Sequence, residues 1–210
     1  MTRPSCAVCL RPQRSCICGW ITPTPHQVEV VLLQHLLEAI HAKGSARLLH
    51  LSLPRSVLAI GEVFAEDALQ ALISAPLHSP APATANPLKY MLLLYPDSPQ
   101  DPTLGMPAPP ALSPELLRDP SRLRLVVLDG TWHKSRKMLY LNPLLQQLPR
   151  LTLRDLPASR YRIRKAHQPD QLSTLEATCT ALAQLEASPS HALPCWPRLT
   201  VLSPKSGAIH

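Results

Sequence analysis

The chain has 210 residues, 45% of them hydrophobic, with mean hydropathy near zero and 21 Lys and Arg against 14 Asp and Glu, a net charge of +7. That size buries one sizeable core with room for an appendage, and no stretch approaches the roughly 18 consecutive apolar residues that a membrane span requires. The opening Met1-Thr2-Arg3-Pro4-Ser5-Cys6 lacks the apolar core of a signal peptide, so the expectation is a cytoplasmic enzyme or binding protein with no membrane partner, its charge favouring a polyanion.

Four of the six cysteines, Cys6, Cys9, Cys16 and Cys18, fall within thirteen residues around the turn Arg11-Pro12-Gln13-Arg14. Four thiolates close a tetrahedral zinc site, and a knuckle too small for its own core takes its fold from the metal. Disulfides are the competing reading, but nothing in the sequence points to an oxidising compartment. The set is expected to hold a structural zinc ion with no open coordination position. Cys179 lies on a helical apolar stripe and reads as a core thiol.

Residues 28–35 are rich in β-branched side chains and read as a buried strand that delivers His35, with Glu38 three residues on, to its end. Ser45 is placed to cap a helix through 46–49 that Pro54 stops, with Arg47 on its first turn. A short strand is expected at 57–60, an amphipathic helix at 65–74 and a strand at 90–95 that carries Tyr95 and ends at Pro96. Twelve of the 25 prolines lie between Pro76 and Pro120, which predicts extended loops at 77–87 and 99–114.

Leu125-Val126-Val127-Leu128 is a further buried strand, and it runs into Asp129-Gly130-Thr131-Trp132 and the basic segment His133-Lys134-Ser135-Arg136-Lys137. One carboxylate therefore stands where a strand meets a cationic helix, the place where open α/β sheets collect ligands. The bland alternative is that Asp129 or Thr131 only caps that helix. The helix continues through Leu141 and is followed by a strand at 150–153 and a loop at 157–171. Ser173 and Glu176 have the spacing of a capping box, which would open a last helix. Between Ser121 and Lys165 eleven basic residues face only Asp129 and Asp155, a balance that reads as a nucleic-acid footprint. Within it, Ser159-Arg160-Tyr161-Arg162-Ile163-Arg164 alternates like an edge strand presenting guanidinium groups to phosphates. Alternating strands and helices imply an α/β sheet with a parallel component.

Asp129-Gly130-Thr131-Trp132 resembles the signature of the DTW-domain family. Gln34-His35 with Glu38, Tyr95-Pro96, the 159–164 segment, Leu172-Ser173-Thr174-Leu175-Glu176-Ala177 and the cysteine knuckle carry the same resemblance. Three places depart from the family's pattern: Leu36 follows His35 where a proline is common, Ser45-Ala46 precede Arg47 where Asn-Thr is common, and the stretch from Ser188 to His210, with Pro189, Pro194 and Pro197, is unlike a continuing family helix. The resemblance implies a SPOUT-like knotted sheet with flanking helices behind a small zinc knuckle. It also implies a tRNA-uridine aminocarboxypropyltransferase that moves the 3-amino-3-carboxypropyl group of S-adenosylmethionine to uridine N3, with a variable-loop uridine as the expected target. The organisation expected is a knuckle at 1–22, a catalytic domain at 23–187 and a Pro-containing extension at 188–210.

Asp129, Thr131 and Trp132 are the catalytic candidates, with Asp129 as base or uracil-orienting group. The co-substrate is expected near Tyr95, Pro96, Asp129, Gly130 and Thr131, and near Leu172, Ser173, Thr174 and Glu176. RNA is expected at His35, Arg47, Lys134, Arg136, Lys137, Arg160, Tyr161, Arg162 and Arg164. Two other readings stay open: an RNA methyltransferase of similar fold, and a zinc-containing RNA-binding protein without catalysis. Oligomeric state is left open.

Overall fold

The structure, a computed structural model, describes residues 4–39, 41, 44–75, 77, 89–96, 106–153 and 172–186. Five strands form one sheet: β1 (Glu29–Gln34), β2 (Ser56–Ile60), β3 (Tyr90–Leu94), β4 (Leu123–Asp129) and β5 (Arg150–Leu151). Their order is β2-β1-β4-β3-β5, and every pairing is parallel. Parallel neighbours need crossovers, which here include α2 (Ala46–Ser52), α3 (Glu66–Ser74) and the paired α4 (Trp132–Leu141) and α5 (Pro143–Gln146). A single turn, α1 (Leu36–Ala39), follows β1, and α6 (Thr174–Leu185) closes the described chain.

Alternation along the strands sorts the core into two layers. Val30 and Leu32 of β1 join Leu123, Leu125 and Val127 of β4 on the face covered by Leu48 and Leu49 of α2 and by Leu175, Cys179 and Leu182 of α6. Val31, Leu33, Val126 and Leu128 point the other way, against Leu69 and Ile73 of α3 and Met138 and Leu139 of α4. Covered on both faces, β1 and β4 are buried along their whole length, hence their near-continuous apolar runs. Cys9 and Ile17 of the N-terminal knuckle pack into the first layer.

The expected elements at 28–35, 57–60, 65–74, 90–95 and 125–128 stand within a residue or two of those observed. Three details differ. The strand expected at 150–153 shortens to Arg150–Leu151. Ser45 occupies the N-cap position of α2, but its side chain makes no capping hydrogen bond. Between α4 and β5 the chain adds α5, started by Pro143 at a position where a missing N–H costs nothing. Most of the expected proline loops, the 159–164 segment and the 188–210 extension lie outside the described residues. Among the described residues no helix is long and apolar enough to cross a membrane.

A buried ion cluster locks the N-terminal edge of the central strand pair. Glu29 and Arg124 are register partners, and the fully buried guanidinium donates to Glu29 Oε2 from Nε at 2.9 Å and from Nη2 at 2.5 Å. Lys89 Nζ and Arg55 Nη2 approach Glu29 Oε1 at 3.2 and 3.1 Å, and Arg124 Nη1 donates to the Ile73 carbonyl. Burial pushes the Glu29 carboxyl up, but Arg124 and Lys89 outweigh it and hold the group below its ordinary value of 4.5. A carboxyl depressed by folding stabilises the fold fully above that ordinary value and loses its contribution as pH falls through the folded value. Glu29→Gln, which leaves Arg124 buried without its partner, should cost about 3–5 kcal/mol at pH 7 by urea denaturation. The gap from wild type should narrow on acidification below pH 4.5, because the wild-type carboxyl then also gains its proton.

Candidate active site

The chain leaves β1 toward α2 on one face of the sheet and leaves β4 toward α4 on the other. Because β1 and β4 are neighbours, their carboxyl ends open a crevice at a topological switch point, where open α/β sheets bind ligands. Gln34 and Asp129 are register partners at this end. Gln34 Nε2 donates to Asp129 Oδ2 at 2.8 Å, and the His35 amide donates to the Asp129 carbonyl at 2.9 Å. Asp129 is buried. The helix cap is supplied by Thr131, whose hydroxyl accepts from the Lys134 amide at 3.4 Å. Capping therefore accounts for Thr131, while the Asp129 side chain faces Gln34. Gly130 sits where an added Cβ would meet Lys134 Cβ at 3.1 Å and the Ser135 amide nitrogen at 3.3 Å, so a small residue lets α4 start immediately after the strand.

At the same end of the sheet lies a layered aromatic group. Tyr95 and Trp132 stack with centroids 5.3 Å apart and planes 23° from parallel, and the Arg150 guanidinium lies 5.3 Å from the Tyr95 centroid. Burial pushes the Tyr95 phenol up, with Arg150 and Arg136 pulling weakly the other way, so the ring is a neutral stacking surface at physiological pH. Trp132 is 47% exposed, and planar groups stack on such a ring with favourable dispersion and quadrupole terms. Pro96, exposed, follows Tyr95 at the end of β3.

The loops around the crevice are tied together by charge. Lys134 Nζ is 2.9 Å from Oε1 of the buried Glu38, and Lys137 Nζ is 2.6 Å from Glu62 Oε1. The Leu37 amide donates to His35 Nδ1 at 3.1 Å, which leaves the imidazole proton on Nε2, 3.6 Å from Glu62 Oε1. These pairs join α1, the turn after β2 and α4. Lys134, Lys137 and His35 thus have carboxylate partners within the chain and hold loops together. Arg136 is half-buried on α4. Arg47 turns toward the knuckle, where Nη2 donates to the Val8 carbonyl at 3.3 Å. Arg160, Tyr161, Arg162 and Arg164 lie outside the described residues.

At the start of α6 the capping box forms in full. The Glu176 amide donates to Ser173 Oγ at 3.2 Å, and the Ser173 amide donates to Glu176 Oε2 at 2.9 Å. Ser173 and Glu176 are engaged in starting the helix, with half-buried Leu172 and Thr174 on either side of the cap.

The four N-terminal cysteines converge so that all their sulfurs lie within 4.8 Å of one another. Cys6 Sγ is 3.6 Å from Cys18 Sγ, and Cys9 Sγ is 3.7 Å from Cys16 Sγ. A disulfide needs about 2.05 Å, whereas four sulfurs at about 2.3 Å from one ion stand about 3.8 Å apart along the tetrahedron edges. The spacing favours the metal. The thiols are also prepared unequally. Burial pushes Cys9 up, but the backbone amides of Ile17 and Arg11 outweigh it and bring the group down to about 6. Cys18 is pushed up to about 12 by burial and by the neighbouring sulfurs. Four thiolates this close repel one another, and a dication balances them. The donor set fits zinc closed on four cysteines.

Sequence reasoning missed Gln34 as the partner of Asp129, Arg150 as the cation over Tyr95, and Glu62 as the carboxylate that His35 and Lys137 approach. Gln34 left a trace as the polar residue ending an otherwise apolar strand. Arg150 was visible only as one charge among eleven.

A family model described as DTW domain matches residues 3–197. Over 192 residues the chain is 28% identical to a Mus musculus protein named tRNA-uridine aminocarboxypropyltransferase 2, covering 88% of this chain and 57% of that one. A Drosophila melanogaster protein of the same name is 29% identical over 191 residues, covering 89% and 68%. An Arabidopsis thaliana protein named tRNA-uridine aminocarboxypropyltransferase A is 28% identical over 142 residues, covering 65% and 50%. The chain thus spans little more than half the length of the mouse relative. No solved structure matches it.

Protein purified without added zinc should carry about one zinc per chain by elemental analysis. Cys9→Ser and Cys16→Ser should each lose it. A folded, metal-free knuckle with all four thiols freely titratable would overturn the assignment.

Proposed function

The chain belongs to the DTW domain family, and from that premise we propose that it is a tRNA-uridine aminocarboxypropyltransferase acting at uridine N3. The observation that carries this reading is a buried carboxylate at the β1/β4 switch point, oriented by Gln34 and at the same end of the sheet as the Tyr95–Trp132 stack. S-adenosylmethionine, when bound, supplies an electrophilic carbon next to its sulfonium and leaves as neutral methylthioadenosine. The variable-loop uridine, the SPOUT-like knot and a cytoplasmic location belong to the same proposal.

What the chain's own residues contribute follows from the geometry. Uridine N3 carries a proton and attacks poorly while neutral, so its proton passes to the Asp129 carboxylate as the N3–carbon bond forms and the carbon–sulfur electron pair leaves with sulfur. Gln34 holds Oδ2 through an N–H donor without a charge. It therefore orients the carboxylate through a neutral donor. Tyr95, Trp132 and the backbone at Gly130 would hold the planar and ribose portions of the co-substrate. Alignment of nitrogen, carbon and sulfur supplies much of the rate, so no metal is required in this step, and the cysteine knuckle keeps a structural role.

Asp129→Asn keeps the size and shape of the side chain but removes its basicity. We expect a loss on the order of 100-fold or more in single-turnover rate with near-normal folding and tRNA binding. Following methylthioadenosine and aminocarboxypropyl-uridine together tests the reaction class, since S-adenosylhomocysteine with methylated RNA would identify a methyltransferase instead. Wild-type turnover in the Asn variant would remove Asp129 from the mechanism.

The phosphate contacts are assigned chiefly to Arg160, Arg162 and Arg164, since Lys134 and Lys137 already hold Glu38 and Glu62. Replacing those three arginines by Ala should weaken tRNA binding and flatten its salt dependence by about one unit per contact, with co-substrate affinity nearly unchanged. Binding measured at several salt concentrations decides it. An unaltered slope in the triple variant would place the footprint elsewhere.

A further inference from the structure

The knuckle and the carboxylate are joined by a short run of contacts that neither helix packing nor the metal explains. Arg11, two residues beyond Cys9, donates from Nη2 to the Gly44 carbonyl. Gly44 ends a series of tight turns that starts at the end of β1: the Glu38 amide donates to His35, that of His41 to Glu38, and that of Gly44 to His41. A Cβ at position 44 would lie 3.2 Å from the Glu38 carbonyl oxygen, 3.3 Å from that of His41, and 3.9 Å from Gln34 Nε2. Gly44 thus lies close enough to the amide group that holds Asp129 for a methyl group at this position to touch it. Arg47, on the first turn of α2 just beyond Gly44, reaches back to the Val8 carbonyl, so the knuckle is tied both to Gly44 and to the helix that follows it.

We propose that Arg11 is a positioning residue for the reaction: by gripping Gly44 it seats the turn against Gln34 and so sets the orientation of the Asp129 carboxylate. The inference rests on the role assigned to Asp129 above. In this arrangement the metal is needed at the active site without touching substrate. Its four sulfurs make the knuckle rigid, and Arg11 transmits that rigidity over Gly44 and Gln34 to Asp129. The same turn carries Glu38, which holds Lys134 on α4, so both walls of the crevice depend on one seat.

The test uses zinc-loaded, 15N-labelled full chain and reads the Gln34 side-chain NH2 resonances, identified by their loss in Gln34→Leu. Arg11→Ala removes the grip, and Gly44→Ala displaces the gripped turn with the knuckle side chains unchanged. Arg14→Ala, on the exposed far side of the knuckle turn, is the control. Both test variants should move the Gln34 resonances, and the control should leave them at wild-type positions. In turnover assays Arg11→Ala should lower kcat about tenfold with KM for tRNA within about twofold, the signature of a misaligned reacting group. Should Arg11→Ala shed zinc, zinc-loaded Arg11→Lys, which keeps the charge but not the planar fork, takes its place. Unmoved Gln34 resonances in the zinc-loaded Arg11 variant would overturn the proposal, whatever Gly44→Ala does. Because the resonances are read without substrate, a wild-type protein that forms no methylthioadenosine would defeat the proposed activity while leaving this test intact.

Discussion

The pairing of β1 with β4 is the constraint on which the rest depends. Its two ends are polar and its middle is apolar: Glu29 opposes Arg124, Gln34 opposes Asp129, and the four pairs between them are Val, Leu or both. A slip of one residue would break both end contacts and turn every apolar side chain to the wrong layer. The two ends solve different problems. At the amino end Glu29 is surrounded by Arg124, Lys89 and Arg55, so its charge is used up in holding the strands. At the carboxyl end Asp129 faces a neutral amide donor, which sets register and orientation without placing a cation on that oxygen. One ladder therefore carries a charged lock at one end and an amide-held carboxylate at the other.

The same accounting changes what the net charge of +7 means. Lys134, Lys137, Arg55, Lys89 and Arg124 each sit on a carboxylate of the chain itself, and two of the remaining basic side chains, Arg11 and Arg47, hold backbone carbonyls. A basic residue buried against Glu29 gives nothing to a phosphate. Among the described residues, the helix that follows Asp129 therefore offers a polyanion less charge than its sequence suggests, because Lys134 and Lys137 are already paired. The aromatic stack complements it, because Arg150, Tyr95 and Trp132 present flat surfaces rather than point charges.

Much of the fold could be read from the chain because a parallel sheet buried on both faces writes long apolar runs into its strands, as at 30–33 and 125–128. Caps were legible for a similar reason. Ser173 and Glu176 satisfy orphan amides by a local, three-residue spacing, and Thr131 does so with its own hydroxyl. What escaped was non-local. Gln34 and Asp129 are 95 positions apart, Arg124 and Glu29 equally so, and no pattern along the chain reports which strands are neighbours. The position of Asp129 at a strand end was readable, but its partner was not. β5 was overestimated because its apolar alternation extends past the two residues that pair with β3.

Nor did spacing reveal that the knuckle is part of the domain's inner structure. Cys9 and Ile17 pack in the same layer as β1, α2 and α6, and Leu10, bulky and exposed, sits at φ 61°, a conformation that favours glycine. A small element holds such a residue only when its surroundings over-determine the backbone. Here the Cys6 and Leu10 amides donate to the Arg11 and Cys6 carbonyls, and a metal ion closed on the four sulfurs would supply the remaining restraint. α1 has the opposite character: it is a single turn, too short to hold itself, and Glu38 on it is paired with Lys134 of α4. Core packing and backbone hydrogen bonds hold the knuckle, and an ion pair holds the turn, where the sheet ends and strand pairing no longer supplies the restraint.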